Sequence, residues 1–374
     1  MPTKEAVIEE AIKLGFADVG FTTAEPFHEH KNYLMEKSDD YSFMETAGYS
    51  LTAGSDPRSI MPSAKSAIVL LEVYFKKAYP RYLEGHFGRC YLDDDRMTRD
   101  GLSRRIKAFR SFLRDNGIDS KVSASLPHRM TAVRAGMGTV GRNCLFYSNT
   151  AARGGSWTLP IPVLVDHEFT PGTPTYENNC PKWCRNVCIA ACPTRALKGN
   201  GRIDPKKCIS YLTYYGSGPT PIELREPMGM YVYGCDRCQD VCPRNRPWTS
   251  QDLAINEKAA AMEKDFRLES LLHMDASYFE AKIWPHMFYM PSSEIWRWKM
   301  NVARVMGNSL DPVYAPELLK AFHENTDDRV KCLTVWALGK LGQKKTLNNI
   351  RSIKNLSENV KLEVESAISA FDIN

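Results

Sequence analysis

Apolar residues recur along the first part of the chain at two spacings. Val7, Ile8, Ala11 and Ile12 fall on one helical face and Thr3 stands where an N-cap belongs, which predicts a helix over 4–15. A short strand is expected over 18–23, a turn at Asp56-Pro57-Arg58-Ser59, and a core strand over 66–75 around the run Ala67-Ile68-Val69-Leu70-Leu71. Leu102, Ile106, Phe109 and Leu113 return to helical spacing, with Gly117 placed for a C-cap. A further helix is expected over 127–135, then a glycine-rich loop, then a strand over 157–165. Alternating helices and strands over 1–170 predict an α/β domain.

The second half reads differently. The linker Thr170-Pro171-Gly172-Thr173-Pro174-Thr175 leads into a cysteine-rich stretch, and residues 252–290 show no clear period. Short helices are expected over 295–306, 315–323, 329–341, 346–353 and 360–371. The segment 305–312 is echoed at 337–342, at about the spacing of a HEAT-type helical pair. So few pairs cannot make a solenoid alone and are expected to dock on the main body. Trp296, Trp298 and Trp336 sit at helical spacing and are expected to fill its core. The fold class is then α+β, with boundaries at 1–170, 171–250, 251–293 and 294–374.

Composition changes this picture little until the cysteines are reached. Hydrophobic content is 43%, charged content 25% and net charge +5, ordinary values for a globular protein. The start of the chain carries no apolar leader, and no run is long enough to span a bilayer, so a cytoplasmic protein is expected. In that compartment clustered cysteines read as a metal site before they read as disulfides.

Eight of the 11 cysteines lie between Cys180 and Cys242. Cys188-x3-Cys192-Pro193 and Cys235-x2-Cys238-x3-Cys242-Pro243 match parts of the bacterial ferredoxin signature, in which the last cysteine of each run ligates the other cluster. That crossing gives one set of Cys180, Cys184, Cys188 and Cys242, and a second of Cys192, Cys208, Cys235 and Cys238. Two [4Fe–4S] clusters are therefore expected. Cys180, Cys184 and Cys188 are spaced by three residues where the signature has two. Either the loop carries two inserted residues or one of these cysteines is not a ligand. Zinc knuckles fit the two Cys-Pro endings poorly.

The runs Cys208-Ile209-Ser210-Tyr211-Leu212-Thr213 and Gly234-Cys235-Asp236-Arg237-Cys238-Gln239-Asp240-Val241-Cys242-Pro243 resemble those of the epoxyqueuosine reductases, cobalamin-dependent iron–sulfur enzymes of tRNA modification related to the reductive dehalogenases. The resemblance extends upstream to Arg134-Ala135-Gly136-Met137-Gly138-Thr139-Val140-Gly141-Arg142-Asn143 and downstream to Trp336-Ala337-Leu338-Gly339. It implies an oxidoreductase with a base-off cobalamin between an N-terminal domain and a ferredoxin-like module. It further implies an external low-potential donor of ferredoxin or flavodoxin type, no membrane, and tRNA as a partner. Gly138, Gly141, Arg142, Asn143, Cys144, Ser156 and Trp157 would then face the corrinoid. As a dinucleotide fingerprint the Gly136–Gly141 run is weak, because it follows a helical pattern and lacks the downstream acidic residue.

One part of the family pattern is missing. The relatives place an essential aspartate shortly before the glycine loop, and an ungapped match puts Val122 there, in a stretch 121–129 with no carboxylate. Reductive opening of a C–O bond needs a proton donor. His128 and Tyr211 are the candidates. Either the acid comes from elsewhere or the chain has kept the redox machinery and changed its substrate, and the missing carboxylate favours the second; a carrier or cobalamin-handling protein without turnover is the rival class. The basic helix between Arg96 and Arg114 is a candidate phosphate contact, whereas residues from Glu294 onward are nearly neutral.

Overall fold

The computed structural model describes residues 1–92, 101–177, 180–287 and 290–373, so Arg96 lies outside the described residues. The chain forms two compact units, each built from separated stretches. The first comprises Met1–Lys76, Thr98–Pro205 and Asp236–Leu253; the second comprises Lys77–Met97, Lys206–Cys235 and Ala254–Asn374.

The first unit is built on a four-stranded sheet. Its strands are β1 (Asp18–Thr23), β2 (Ser66–Val73), β3 (Ser120–Val122) and β6 (Thr158–Val165), in the order β1-β2-β6-β3. Every ladder is antiparallel, so the expected α/β arrangement gives way to α+β. Thr3 caps α1 (Lys4–Lys13), its hydroxyl accepting from the Ala6 amide at 3.2 Å. Val7 and Ala11 of α1, with Phe109 and Leu113 of α2 (Gly101–Asp115), cover Ile68, Leu70, Ile161 and Val163. The opposite face carries Ala67 and Leu164 against Met61 and Leu126. With both faces covered, β2 is buried throughout, which is why it reads as a continuous apolar run.

Two elements depart from expectation. The edge strand β3 was not signalled, and its Val122 pairs with Val163 and packs against the α1–α2 core. The expected glycine-rich loop after α3 (His128–Arg134) is a hairpin of β4 (Gly138–Val140) and β5 (Phe146–Ser148), with Gly138 opposite Ser148. Asp56 caps a single helical turn, Pro57–Ile60, where a turn was expected.

The second unit holds α4 (Ile209–Tyr214), whose Ile209 and Leu212 pack with Met228. The unassigned stretch folds into short helices such as Glu257–Met262 and Leu268–His273. Then come α5 (Ile295–Ser309), α6 (Ala315–Glu324), α7 (Asp328–Lys340), α8 (Lys344–Arg351) and α9 (Glu358–Ile373). The echoed glycines mark close helix approaches. A Cβ on Gly307 would meet Ala337 Cα at 2.9 Å, and one on Gly339 would meet Ala367 Cβ at 3.1 Å. Trp298 and Trp336 are buried, whereas half-buried Trp296 lies under the Arg329 guanidinium, 3.3 Å from its ring centre. Among the described residues no helix is long and apolar enough to cross a membrane.

Candidate functional site

In the first unit four thiols line one cavity: Cys180, Cys184, Cys188 and Cys242. The wide spacing of the first three is absorbed within the loop. Lys182–Cys184 makes a turn of 3-10 helix, and Arg185 and Asn186 then take left-handed backbone at φ 49° and 63°. All three sulfurs consequently reach the same space, despite the extra residues between them. Burial, and then the neighbouring sulfurs of Cys242, Cys180 and Cys184, push the Cys188 thiol above its ordinary pKa. Among the described residues no three His, Cys, Asp or Glu side chains converge as a single metal ion requires. The four sulfurs stand instead around an open volume walled also by Arg142, Tyr147 and Arg244.

A polar network behind the cavity fixes these walls. The Tyr147 hydroxyl donates to Cys242 Sγ at 3.1 Å, and Asn143 Nδ2 donates to the same hydroxyl at 2.8 Å. Burial is the main cause raising the Tyr147 phenol pKa, with the Cys242 sulfur adding to it. The Arg244 guanidinium lies 4.4 Å from the Tyr147 ring centre. Burial holds the Arg244 pKa below its ordinary value, while Tyr147, Cys180 and Cys242 favour its charge. One layer further in, Asn245 donates to Ser156 Oγ at 3.0 Å and to the Gln239 carbonyl at 2.9 Å, and Gln239 donates to Ser156 Oγ at 3.0 Å. These bonds join the strand entering β6 to the chain on either side of Cys242. Sequence reasoning missed Tyr147, Gln239, Arg244 and Asn245. The available signal was their closeness in sequence to Asn143 and to the Cys242-Pro243 ending.

The remaining four clustered cysteines are distributed over both units: Cys192 and Cys238 belong to the first, Cys208 and Cys235 to the second. The Ala196 amide donates to Cys192 Sγ at 3.3 Å. In the second unit the Gly234 amide donates to Thr213 Oγ1 at 3.0 Å, which ties the residue before Cys235 to the helix that begins after Cys208.

The residues expected to face a corrinoid are engaged by the protein itself. A Cβ on Gly138 would meet the Tyr147 carbonyl oxygen at 2.0 Å, and one on Gly141 would meet the Tyr147 ring at 2.5 Å. These glycines let Tyr147 pack closely. Arg142 donates to Asn186, Asn143 to Tyr147, and Ser156 belongs to the Asn245–Gln239 network. Trp157 is fully buried against Phe75, their ring centres 5.1 Å apart. Half-buried Cys144 has left-handed backbone, and its carbonyl accepts from Arg129 at 2.8 Å.

The two candidate proton donors are placed separately. His128 opens α3, and its Nε2–H donates to the Ser123 carbonyl at 2.9 Å, closing the loop that follows β3. Tyr211 is half-buried on α4 in the second unit, where burial raises its phenol pKa and Arg297 opposes the rise.

Known proteins are similar to this chain in sequence and fold. Residues 179–245 match the 4Fe-4S double cluster binding domain. The epoxyqueuosine reductase of Staphylococcus aureus is 32% identical over 362 residues, spanning 90% of this chain and 88% of that protein. The solved epoxyqueuosine reductase of Bacillus subtilis, with its catalytic aspartate loop swung out of the active site, superposes at a TM-score of 0.78 with 26% identity over 98% of both chains. An epoxyqueuosine reductase solved with a tRNA-Tyr epoxyqueuosine-modified stem loop gives 0.76 and 27%, over 99% of this chain and 98% of that one. With a thiol-lined cavity inside the matched segment and a near-complete alignment to these relatives, the chain belongs to the epoxyqueuosine reductase family of oxidoreductases.

Proposed function

We propose that this chain reduces epoxyqueuosine in tRNA, passing electrons through two [4Fe–4S] clusters. The observation that carries the reading is the cavity lined by Cys180, Cys184, Cys188 and Cys242. Its four thiols fit a cubane cluster, and Arg142 and Arg244 offset part of the charge that four thiolates bring. Cys192, Cys208, Cys235 and Cys238 are the proposed ligands of the second cluster, on sequence alone. The same alternation of sets keeps the ferredoxin-like module at 171–250, between an N-terminal domain at 1–170, a connector at 251–293 and HEAT-like helical repeats at 294–374.

An external low-potential carrier of ferredoxin or flavodoxin type supplies the electrons. A base-off cobalamin is the proposed acceptor, on the family resemblance; when bound it supplies two-electron chemistry at one metal. Gly138, Gly141, Arg142, Asn143, Cys144, Ser156 and Trp157 are the proposed residues around it, on the same resemblance. Opening the epoxide leaves negative charge on its oxygen, and that oxygen needs a proton. Position 122 holds a half-buried valine packed against the α1–α2 core, so the donor is proposed to come from another position. His128 and Tyr211 are the proposed donors.

The test is turnover. Protein reconstituted anaerobically with iron, sulfide and cobalamin is given a chemical reductant and a tRNA stem loop bearing epoxyqueuosine, and nucleosides are read by mass spectrometry. Conversion to queuosine is expected, with loss in Cys184→Ala. Full cluster loading without conversion overturns the substrate.

A further inference from the structure

We propose that Tyr147 sets the reduction potential of the cluster held by Cys180, Cys184, Cys188 and Cys242, through its hydrogen bond to the Cys242 sulfur. This rests on the cluster reading above and adds a residue that the cysteine signature does not contain.

The geometry gives the bond a direction. Tyr147 is 1% exposed, so water does not compete for its hydroxyl. The hydroxyl oxygen accepts from Asn143 Nδ2 at 2.8 Å, which leaves its own hydrogen for Cys242 Sγ at 3.1 Å. Asn143 is itself fixed, because the same amide reaches the Cys238 carbonyl at 3.3 Å and its oxygen accepts the Leu145 amide at 3.4 Å. The Arg244 guanidinium over the Tyr147 ring draws on its electron density and makes the O–H a stronger donor.

The chemical consequence follows from where charge goes on reduction. An added electron on a cluster raises the negative charge on its thiolate sulfurs. A hydrogen bond to one of them is then stronger in the reduced state than in the oxidised state, so it raises the potential. A tenfold change in the oxidised-to-reduced ratio corresponds to about 60 mV for one electron.

The experiment is an anaerobic redox titration of the reconstituted full chain, followed by electron paramagnetic resonance. The second cluster serves as the internal reference. Tyr147→Phe keeps the ring and removes the proton. One of the two midpoints should move to lower potential by about 60 mV while the other stays fixed. Site-specific 3-fluorotyrosine at position 147 keeps the shape and strengthens the donor, so the same midpoint should move upward; this variant decides the matter if Tyr147→Phe loses iron. Two unmoved midpoints at full iron loading overturn the proposal and leave the cluster reading intact. Absence of any [4Fe–4S] signal in the unmodified protein overturns both.

Discussion

The 180–188 loop and the 208–235 segment both carry cysteines, but they are held from different sides. In the loop, left-handed residues shape the backbone, and at the fourth thiol of the same cavity a side chain reaches the sulfur itself: Tyr147 donates directly to Cys242 Sγ. In the segment, one helix binds main-chain carbonyls. From α5, Arg297 donates to the Gly216 carbonyl at 2.8 Å, Asn301 to those of Thr213 and Val232 at 2.7 and 3.1 Å, Arg304 to those of Gly229 and Tyr231, and Asn308 to those of Arg225 and Gly229 at 2.8 Å each. Positions 297, 301, 304 and 308 lie on one helical face. A support that touches sulfur alters electronic properties. A support that touches the backbone fixes where the sulfur is. Changes in the first region should therefore show in redox behaviour, and changes in the second in stability.

The largest stability effect is expected at Glu363. It pairs with Arg225 through two bonds of 2.6 and 3.0 Å, and the Arg225 side chain is 4% exposed. Glu363→Ala leaves that guanidinium buried and unpaired, at a cost of about 3–5 kcal/mol, read by denaturant unfolding. Asn301→Ala strips two carbonyls of their donor and should cost about 2 kcal/mol, leaving the potential of the Cys180–Cys242 cluster unmoved. A shifted potential at unchanged stability would break the contrast between the two regions.

The smallest effect calibrates the others. Asp327 caps α7 by accepting from the Arg329 amide at 2.9 Å and from its guanidinium at 2.6 Å. These bonds, chiefly the side-chain one to Arg329, hold its carboxyl pKa below the ordinary 3.8. Asp327→Ala should cost about 1 kcal/mol at neutral pH. Because the folded pKa is depressed, this stabilisation is fully present above the unfolded value and fades as pH falls through the folded one. Wild-type and variant unfolding curves should then converge at acid pH, below the folded pKa.

Much of this architecture was legible from periodicity. β1, β2, β6 and α5 to α9 follow their apolar patterns because burial on one face, or on both, imposes that spacing. The 138–148 hairpin was hidden because its glycines serve Tyr147 packing and mimic a loop composition. β3 was hidden because three residues are too few to show a period. The cysteines were legible as a set, and Cys180, Cys184, Cys188 and Cys242 line one cavity. The residues that hold them were not. Arg297, Asn301, Arg304 and Asn308 carry no motif in the sequence, yet the first three are buried and Asn308 is half-buried. Only the fold reveals that their partners are carbonyls some 70 to 90 residues away.

The most direct test of the account is iron and sulfide content with Mössbauer spectra of the unmodified chain and of Cys242→Ala. The account predicts spectra of two [4Fe–4S] clusters, about eight iron atoms per chain, and the loss of one cluster in the variant. Unchanged iron in Cys242→Ala, or zinc in place of iron in the unmodified chain, would contradict it.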